Sequence, residues 1–423
     1  MRIRLDYGTA GLDVSLPDRR VTVIEPVHRP ALPDAAGALR AAIRTVPAAG
    51  APRLEELARR GRKVAISVCD ITRPQPRREM LAALFAEMPE VRPEDVTILI
   101  ATGTHRSNTP AELEGMLGRD MLSRYRVVNH DSRDRSTLES VGRTASGAPV
   151  LINRAFLQAD VRITTGFVEP HFFAGFSGGP KMVAPGLAGL DTVMTLHDAV
   201  RIAHVNATWG VTEGNPIHDD IREIAGTVGV HFALDVTLNR EQLMTDVFAG
   251  ELFEEHRRAC EVARQNAMRA VPGPFDVVLT TNAGYPLDQN LYQAVKGMSA
   301  ASRVVKSGGT IVCAAECRDG LPNHGAYRQV LAAQPTPERL LSMIKSPGYA
   351  MPDQWQAQIQ AQVLMKARVL VKTAGLTPDE VRAAHFEPIE DVETAVRAAL
   401  ASAGQEATLC VLPQGPQTIP FLS

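Results

Sequence analysis

Cysteine is scarce in this 423-residue chain: Cys69, Cys260, Cys313, Cys317 and Cys410 are scattered and odd in number. That inventory argues against a disulfide framework and predicts reduced thiols in a cytoplasmic protein. Cys313 and Cys317 form a C-x3-C pair, but no second Cys or His pair stands near enough to complete a zinc site. An excess of charge is lacking too. The chain has 45 Lys+Arg against 47 Asp+Glu, a formal net charge of -2, so nucleic-acid binding by bulk positive charge is not expected. No apolar run reaches the roughly 18 residues a membrane span requires. The start, Met1–Leu16, alternates apolar and polar residues, lacks the apolar core of a signal peptide and predicts a first strand. Tandem repeats and low-complexity tracts are absent, and so is a G-x-G-x-x-G fingerprint. The one lysine after a glycine cluster, Lys181, is flanked by Pro180 and Met182, which excludes a Walker A loop.

What is present is ordinary globular material, 45% apolar and 22% charged, long enough for two or three domains. A short apolar run, a polar or glycine-bearing loop and a helical stretch recur. The runs are Lys63–Val68 before CDITRP, Val96–Ala101 before TGTHR, Val161–Thr165 before GFVEPH, Phe275–Thr280 before TNAGYPLDQ, and a weaker one at Thr310–Ala314. This alternation predicts βα units and mostly parallel sheets. Thr109-Pro110, Thr336-Pro337 and Thr377-Pro378 each set threonine at a helix N-cap and proline in the first turn. A boundary is expected at Ala270–Pro274, which gives an N-terminal domain 1–270 and a C-terminal domain 275–407. The strand-like Leu409–Leu412 places 408–423 as a possible return to the first domain.

Ligands of open α/β sheets bind beyond the carboxyl ends of the strands. The loops there hold Asp70, Thr72, Arg73, His105, His171 and either Tyr285 or Asp288. Arg73 offers a fork for a carboxylate or phosphate, or pairs with Asp70 on the surface. His105 projects from the turn made by Gly103, or caps the next helix. Glu169–Gly186, EPHFFAGFSGGPKMVAPG, joins phenylalanines, a glycine cluster and Lys181 within a few residues of His171. Gly175, Gly178 and Gly179 would let backbone amides approach an anion, and Lys181 would bring charge or a nucleophilic amine. The bland alternative is a glycine turn packing the phenylalanines. His197, in TLHD, is a possible nickel, copper or zinc ligand. His204 follows two helical turns later, and one histidine cannot hold a metal alone. Gln293 and Lys296, in NLYQAVKG, share a helix face that either meets a carboxylate or is simply solvated.

In their order, D-x-T-R-P, G-T-H-R, E-P-H-F-F-A-G-F-S-G-G-x-K, L-H-D and Y-Q-A-V-K-G resemble the lactate racemase family, whose members are nickel-pincer-nucleotide-dependent 2-hydroxyacid racemases and epimerases. The resemblance spans most of the chain. It implies two α/β domains with mostly parallel sheets and an active-site cleft between them. It implies a pyridinium mononucleotide that grips nickel through C4 and two sulfurs, made by partner proteins, with His197 as the fourth ligand. Lys181 matches the lysine that carries the cofactor's thioamide in the founding enzyme. Asp70 and Thr72 match the cofactor loop, and Gly175, Ser177, Gly178 and Gly179 fall in the same cofactor-facing set. His105 and His171 match two acid/base histidines. Arg73, Tyr292, Gln293, Lys296 and Trp355 match substrate contacts. The implied reaction moves a hydride from a lactate-like or malate-like carbinol to the cofactor and back to the other face, with one histidine on each side. A nicotinamide dehydrogenase and a non-catalytic carboxylate-binding protein with two lobes are the alternatives. The first lacks its glycine fingerprint, and the second would not need both histidines.

Overall fold

The computed structural model describes residues 1–45, 53–322 and 325–422, and the chain divides into two units. One comprises His28–His197 and Val205–Asn266; the other comprises Met1–Val27, Asp198–His204 and Ala267–Ser423. Among the described residues no helix is long and apolar enough to cross a membrane.

The first unit is built on a six-stranded sheet in the order Met244–Gly250, Phe232–Leu238, Val161–Phe167, Val64–Cys69, Val96–Ala101, Arg126–Asn129. Only the edge strand Met244–Gly250 is antiparallel to its neighbour. Val64–Cys69 is buried along its whole length, as a strand covered on both faces must be. Ile66, Val68, Ile98, Ile163 and Leu234 form its core with Leu81 and Leu84 of the helix Arg77–Ala86. The chain starts at Val64–Cys69, moves outward to Arg126–Asn129, and then returns to the other flank at Val161–Phe167. That reversal puts the topological switch point between Val64–Cys69 and Val161–Phe167.

The second unit has a parallel sheet in the order Glu387–Pro388, Arg368–Lys372, Val305–Ala314, Phe275–Thr281, Leu409–Leu412, Val21–Val23. Leu279, Val312 and Val411 pack on Val396 of the helix Val392–Ala403. The three threonine caps form as expected: Thr109, Thr336 and Thr377 accept from the amides of Glu112, Arg339 and Glu380.

Two expectations change. The N-terminus is a hairpin of two strands, Arg2–Leu5 and Leu12–Ser15, whose Leu5 and Val14 join the second unit's core. Leu409–Leu412 does not return to the first unit. It lies between Phe275–Thr281 and Val21–Val23, so a cut into 1–270 and 275–407 divides a sheet that residues 21–23 and 409–412 complete. Short apolar strands announce themselves by composition, whereas their partners depend on register, which a single strand's pattern does not carry.

Candidate active site

The strands Val161–Phe167, Val64–Cys69 and Val96–Ala101 are parallel neighbours, so their carboxyl ends release three loops along one sheet edge. The central loop carries Asp70, Thr72 and Arg73. It is knitted from within by Arg77, a buried guanidinium that donates to the carbonyls of Cys69 (2.7 Å), Arg73 (2.7 Å), Gln75 (3.1 Å) and Asp70. Gln75 accepts from the Cys69 amide (2.8 Å) and donates to Thr165 Oγ1 (2.9 Å), tying the two strands at the switch point. The sequence reading missed both residues, because a polar side chain near a loop looks the same whether solvated or buried.

His105 arrives on the neighbouring loop. Gly103, at φ +56°, makes the turn that a side chain would strain. The ring Nδ1 lies 2.7 Å from Asp70 Oδ2. Burial alone would push the Asp70 carboxyl up. The charge and hydrogen bond of His105, with the Thr72 hydroxyl and the Arg73 guanidinium, outweigh it and bring Asp70 down to about 2. An ionised carboxylate only accepts, so His105 carries hydrogen on Nδ1, and the neutral form of the ring has its lone pair on Nε2. Asp70 therefore stands behind His105. Thr72 holds Asp70 through its hydroxyl (2.6 Å). Arg73 pairs across the switch point with Glu169 (3.8 Å) rather than with Asp70.

The third loop folds into a small antiparallel hairpin, Pro170–His171 with Gly175–Phe176. His171 is buried, and its Nδ1 accepts from the Ala174 amide (3.3 Å), which leaves Nε2 as the protonated nitrogen of the neutral ring. Phe173 is the meeting point. Its ring is 4.5 Å from that of His171, 5.0 Å from that of His197 and 5.8 Å from Lys181 Nζ. His197 caps the helix Leu190–Leu196 and donates from Nδ1 to the Val193 carbonyl (2.7 Å). Burial lowers its pKa to about 4, the Val193 bond opposes that, and the Lys181 charge adds to it. The imidazole is thus neutral, with its lone pair on Nε2. His204 is assigned to the other unit.

The glycine segment answers to the protein's own interior. A Cβ at Gly175 would stand 2.3 Å from the Val211 carbonyl oxygen, and one at Gly179 would stand 2.4 Å from the His256 ring. The Gly179 amide is committed to Asp235 Oδ2 (2.6 Å). Ser177 Oγ donates to the Phe167 carbonyl (2.8 Å) and accepts from the Glu169 amide (3.0 Å). Asn215, His218 and His256 contact the carbonyls of Phe173, Ala174 and Ser177. Gly175, Ser177 and Gly179 therefore serve packing and hydrogen bonding within the unit, which is what fixes Phe173 and Lys181. No motif signals the supporting residues, which are drawn from later helices and a strand.

The second unit holds a separate cluster. The helix Leu291–Ser302 is capped by Asn290, which accepts from the Gln293 amide (3.0 Å). Gly297 lets that helix close on the strand Phe275–Thr281, since a Cβ there would lie 1.9 Å from the Thr281 carbonyl. Tyr292, Gln293 and Lys296 fall on its partly exposed face. Trp355 donates from its indole to the Tyr292 hydroxyl (3.1 Å). Of the two loop candidates here, Asp288 is buried and accepts from the Gly8 and Glu316 amides (2.7 and 2.9 Å), a structural post. Tyr285 is exposed beneath the Arg318 guanidinium. Among the described residues no three His, Cys, Asp or Glu side chains converge to hold a metal.

Solved structures share this fold. The lactate racemase apoprotein of Thermoanaerobacterium thermosaccharolyticum matches with a TM-score of 0.92 at 34% identity, covering 99% of this chain and 100% of that one. A Thermotoga maritima protein, 20% identical with a TM-score of 0.66 over 88% of this chain and 96% of its own, shares the fold. Curated relatives are the lactate racemases of T. thermosaccharolyticum, 35% identical over 99% of this chain and 98% of the relative, and of Lactiplantibacillus plantarum, 37% identical over 86% and 87%. Fold and relatives together define an α/β enzyme of the isomerase class, a racemase. Residues 7–210 match the lactate racemase N-terminal domain and residues 271–419 the lactate racemase C-terminal domain; the chain belongs to the lactate racemase family.

Proposed function

We propose that this racemase inverts the carbinol carbon of a small 2-hydroxyacid, lactate-like or malate-like, with His105 and His171 as its two acid/base groups. The observation that carries the reading is that both rings stand on loops at one edge of the sheet with Nδ1 engaged by the protein, His105 by Asp70 and His171 by the Ala174 amide. Asp70 keeps the lone pair of His105 on Nε2, so His105 is poised as a base. Nδ1 of His171 faces the Ala174 amide, so Nε2 is the nitrogen proposed to exchange a proton with the substrate, as an acid in the imidazolium form and as a base in the unprotonated one. His105 takes the hydroxyl proton of one enantiomer, and His171 returns a proton to the same oxygen after inversion. The opposite enantiomer uses them in the reverse sense. Arg73 receives the carboxylate through its fork in place of Glu169. Tyr292, Gln293, Lys296 and Trp355 are the further proposed substrate contacts.

The residues around Phe173 suit a nickel-pincer nucleotide. A neutral imidazole whose second nitrogen is anchored on a backbone carbonyl is a well-formed metal ligand, and His197 meets that description. Ligands beyond the protein are needed, since the described side chains provide no donor set of their own. Lys181, beside the same ring, is the proposed attachment or charge partner. When bound, the cofactor supplies a reversible hydride acceptor, which spares the substrate a carbanion. Dedicated cofactor-making proteins are the implied partners. With its five cysteines free and buried, the protein is proposed to work in the reducing cytoplasm.

The deciding experiment incubates holoenzyme with single enantiomers of a panel of 2-hydroxyacids and follows them by chiral chromatography. Conversion of either enantiomer to an equal mixture for at least one acid is expected. Oxidation to the 2-oxoacid that requires added NAD, or binding without inversion, would defeat the reading.

A further inference from the structure

The helix Gln354–Lys366 reads QWQAQIQAQVLMK, and Gln354, Gln356, Gln358 and Gln360 are all buried. Four glutamines inside one helix are costly, because each amide brings two donors and an oxygen that need partners. Three of the nitrogens are used. Gln356 donates to the Tyr292 carbonyl, Gln358 to the Ala199 carbonyl (2.8 Å) and Gln360 to the Ala384 carbonyl (2.6 Å). The oxygens of Gln356 and Gln358 have no hydrogen-bond partner among the described residues. Such half-satisfied groups call for an explanation outside stability.

Tyr292 supplies one. It is held at three points by residues of this helix or by a residue bound to it. Trp355 donates to its hydroxyl (3.1 Å), and Gln356 donates to its backbone carbonyl. The ring meets Tyr327 edge-on, with centroids 5.1 Å apart, and the Tyr327 hydroxyl is bonded to Gln360. Tyr292 opens the helix that also carries Gln293 and Lys296. Inside that helix its carbonyl already has an acceptor role towards the amide four residues on. The Gln356 bond is therefore additional to secondary structure, and its loss would leave no orphaned backbone group.

We propose that Gln356 is a positioning residue, which fixes the start of the Leu291–Ser302 helix so that Tyr292 presents one orientation to the substrate. The proposal rests on the assignment of Tyr292 and Trp355 to the substrate site. Stability and function then separate. Replacing Gln356 by Met, which has similar length and no polar atom, removes a buried unpartnered oxygen without stranding the Tyr292 carbonyl. The thermal midpoint should hold or rise. The catalytic efficiency kcat/KM of the holoenzyme should fall by roughly tenfold or more, as displaced contact groups do.

The chain has two tryptophans, so Trp209→Phe makes Trp355 the sole tryptophan, and its emission excited at the red edge of the tryptophan band reports the cluster without any cofactor. In that background Gln356→Met is expected to shift the Trp355 emission, because the Tyr292 hydroxyl that its indole bonds has moved. Gln356→Leu repeats the test if the Met variant does not fold. An unchanged emission with unchanged kcat/KM would overturn the proposal. So would a thermal midpoint that falls in step with activity, since that marks a merely structural glutamine. Tyr292→Phe separates the underlying assignment. If it leaves kcat/KM intact while the Gln356 variant still shifts the emission, Tyr292 is held in place but does not serve the substrate, and the catalytic half of the proposal fails.

Discussion

Replacing Asp70 by Asn tests the chemistry at its most specific point. The substitution keeps the shape of a side chain that is 6% exposed and removes the charge facing His105 Nδ1 at 2.7 Å. Desolvation opposes ionisation there, yet His105, Thr72 and Arg73 carry the carboxyl from 3.8 to about 2. That depression is worth about 2 kcal/mol, reduced because His105 itself is half exposed and screened. Because the folded pKa lies below the unfolded one, this stabilisation is complete above about pH 4 and is lost as the pH falls towards 2. Asp70→Asn should therefore blunt the acid end of the stability curve. In catalysis the amide no longer stabilises the imidazolium that forms when His105 takes a proton, and a loss of about 10²–10⁴ in kcat is expected. The assay is racemisation of one enantiomer by holoenzyme, read by chiral chromatography, with nickel content measured on the same sample. A variant that holds its nickel and racemises as fast as the parent would refute the role given to Asp70.

Arg73→Lys should lower kcat/KM by about tenfold or more, since loss of one charge-assisted hydrogen bond of the fork costs roughly 1.5–3 kcal/mol; undiminished efficiency would return Arg73 to a surface pair with Glu169. His197→Ala should abolish nickel retention after co-expression with cofactor-making proteins, and retention at the parent level, measured by elemental analysis, would remove His197 from the metal. Mass spectrometry of active protein should find Lys181 carrying added cofactor mass, and an unmodified Lys181 peptide would decide against the tether. Burial raises the Asp235 carboxyl to about 7, against the opposing Gly179 and Gly166 amides, so its contribution is full below about pH 4 and is lost as the pH rises to 7. Asp235→Asn should accordingly raise the thermal midpoint at pH 8 relative to the parent while changing it little at pH 4, and an equal effect at both values would show that the carboxyl does not titrate.

The site was legible where chemistry and strand position coincide. Asp70, Arg73, His105 and His171 follow apolar runs, and the rule for open α/β sheets is enough to bring them to one edge. Their relations were not legible. The resemblance matches Asp70 and Thr72 to the cofactor loop, but spacing along a loop says nothing of what a carboxylate faces, and only the neighbouring strand brings His105 to Asp70. Gly175, Gly178 and Gly179 read either as an anion cradle or as a packing turn, because glycine signals close approach without saying to what. At Gly175 and Gly179 the approach is to Val211 and His256. Arg77, Asp235, His256 and Gln356 are ordinary polar letters in the sequence, and their importance comes from burial, which a helix or strand pattern conveys poorly for polar residues. The N-terminal stretch was expected as one strand and is a hairpin of two, Arg2–Leu5 with Leu12–Ser15.

The pairing of Val21–Val23 with Leu409–Leu412 has a consequence for biosynthesis. On the ribosome the first of these strands emerges about 390 residues before the second. At typical elongation rates the wait is roughly 20–80 s. Through that time the sheet of the second unit lacks Leu409–Leu412, the strand that joins Val21–Val23 to Phe275–Thr281, and once Gly250 has been made every strand of the first unit's sheet is present. The nascent chain thus carries a finished sheet and an unpaired β edge together, and that edge is an opening for chaperone capture or for pairing with a neighbouring nascent chain.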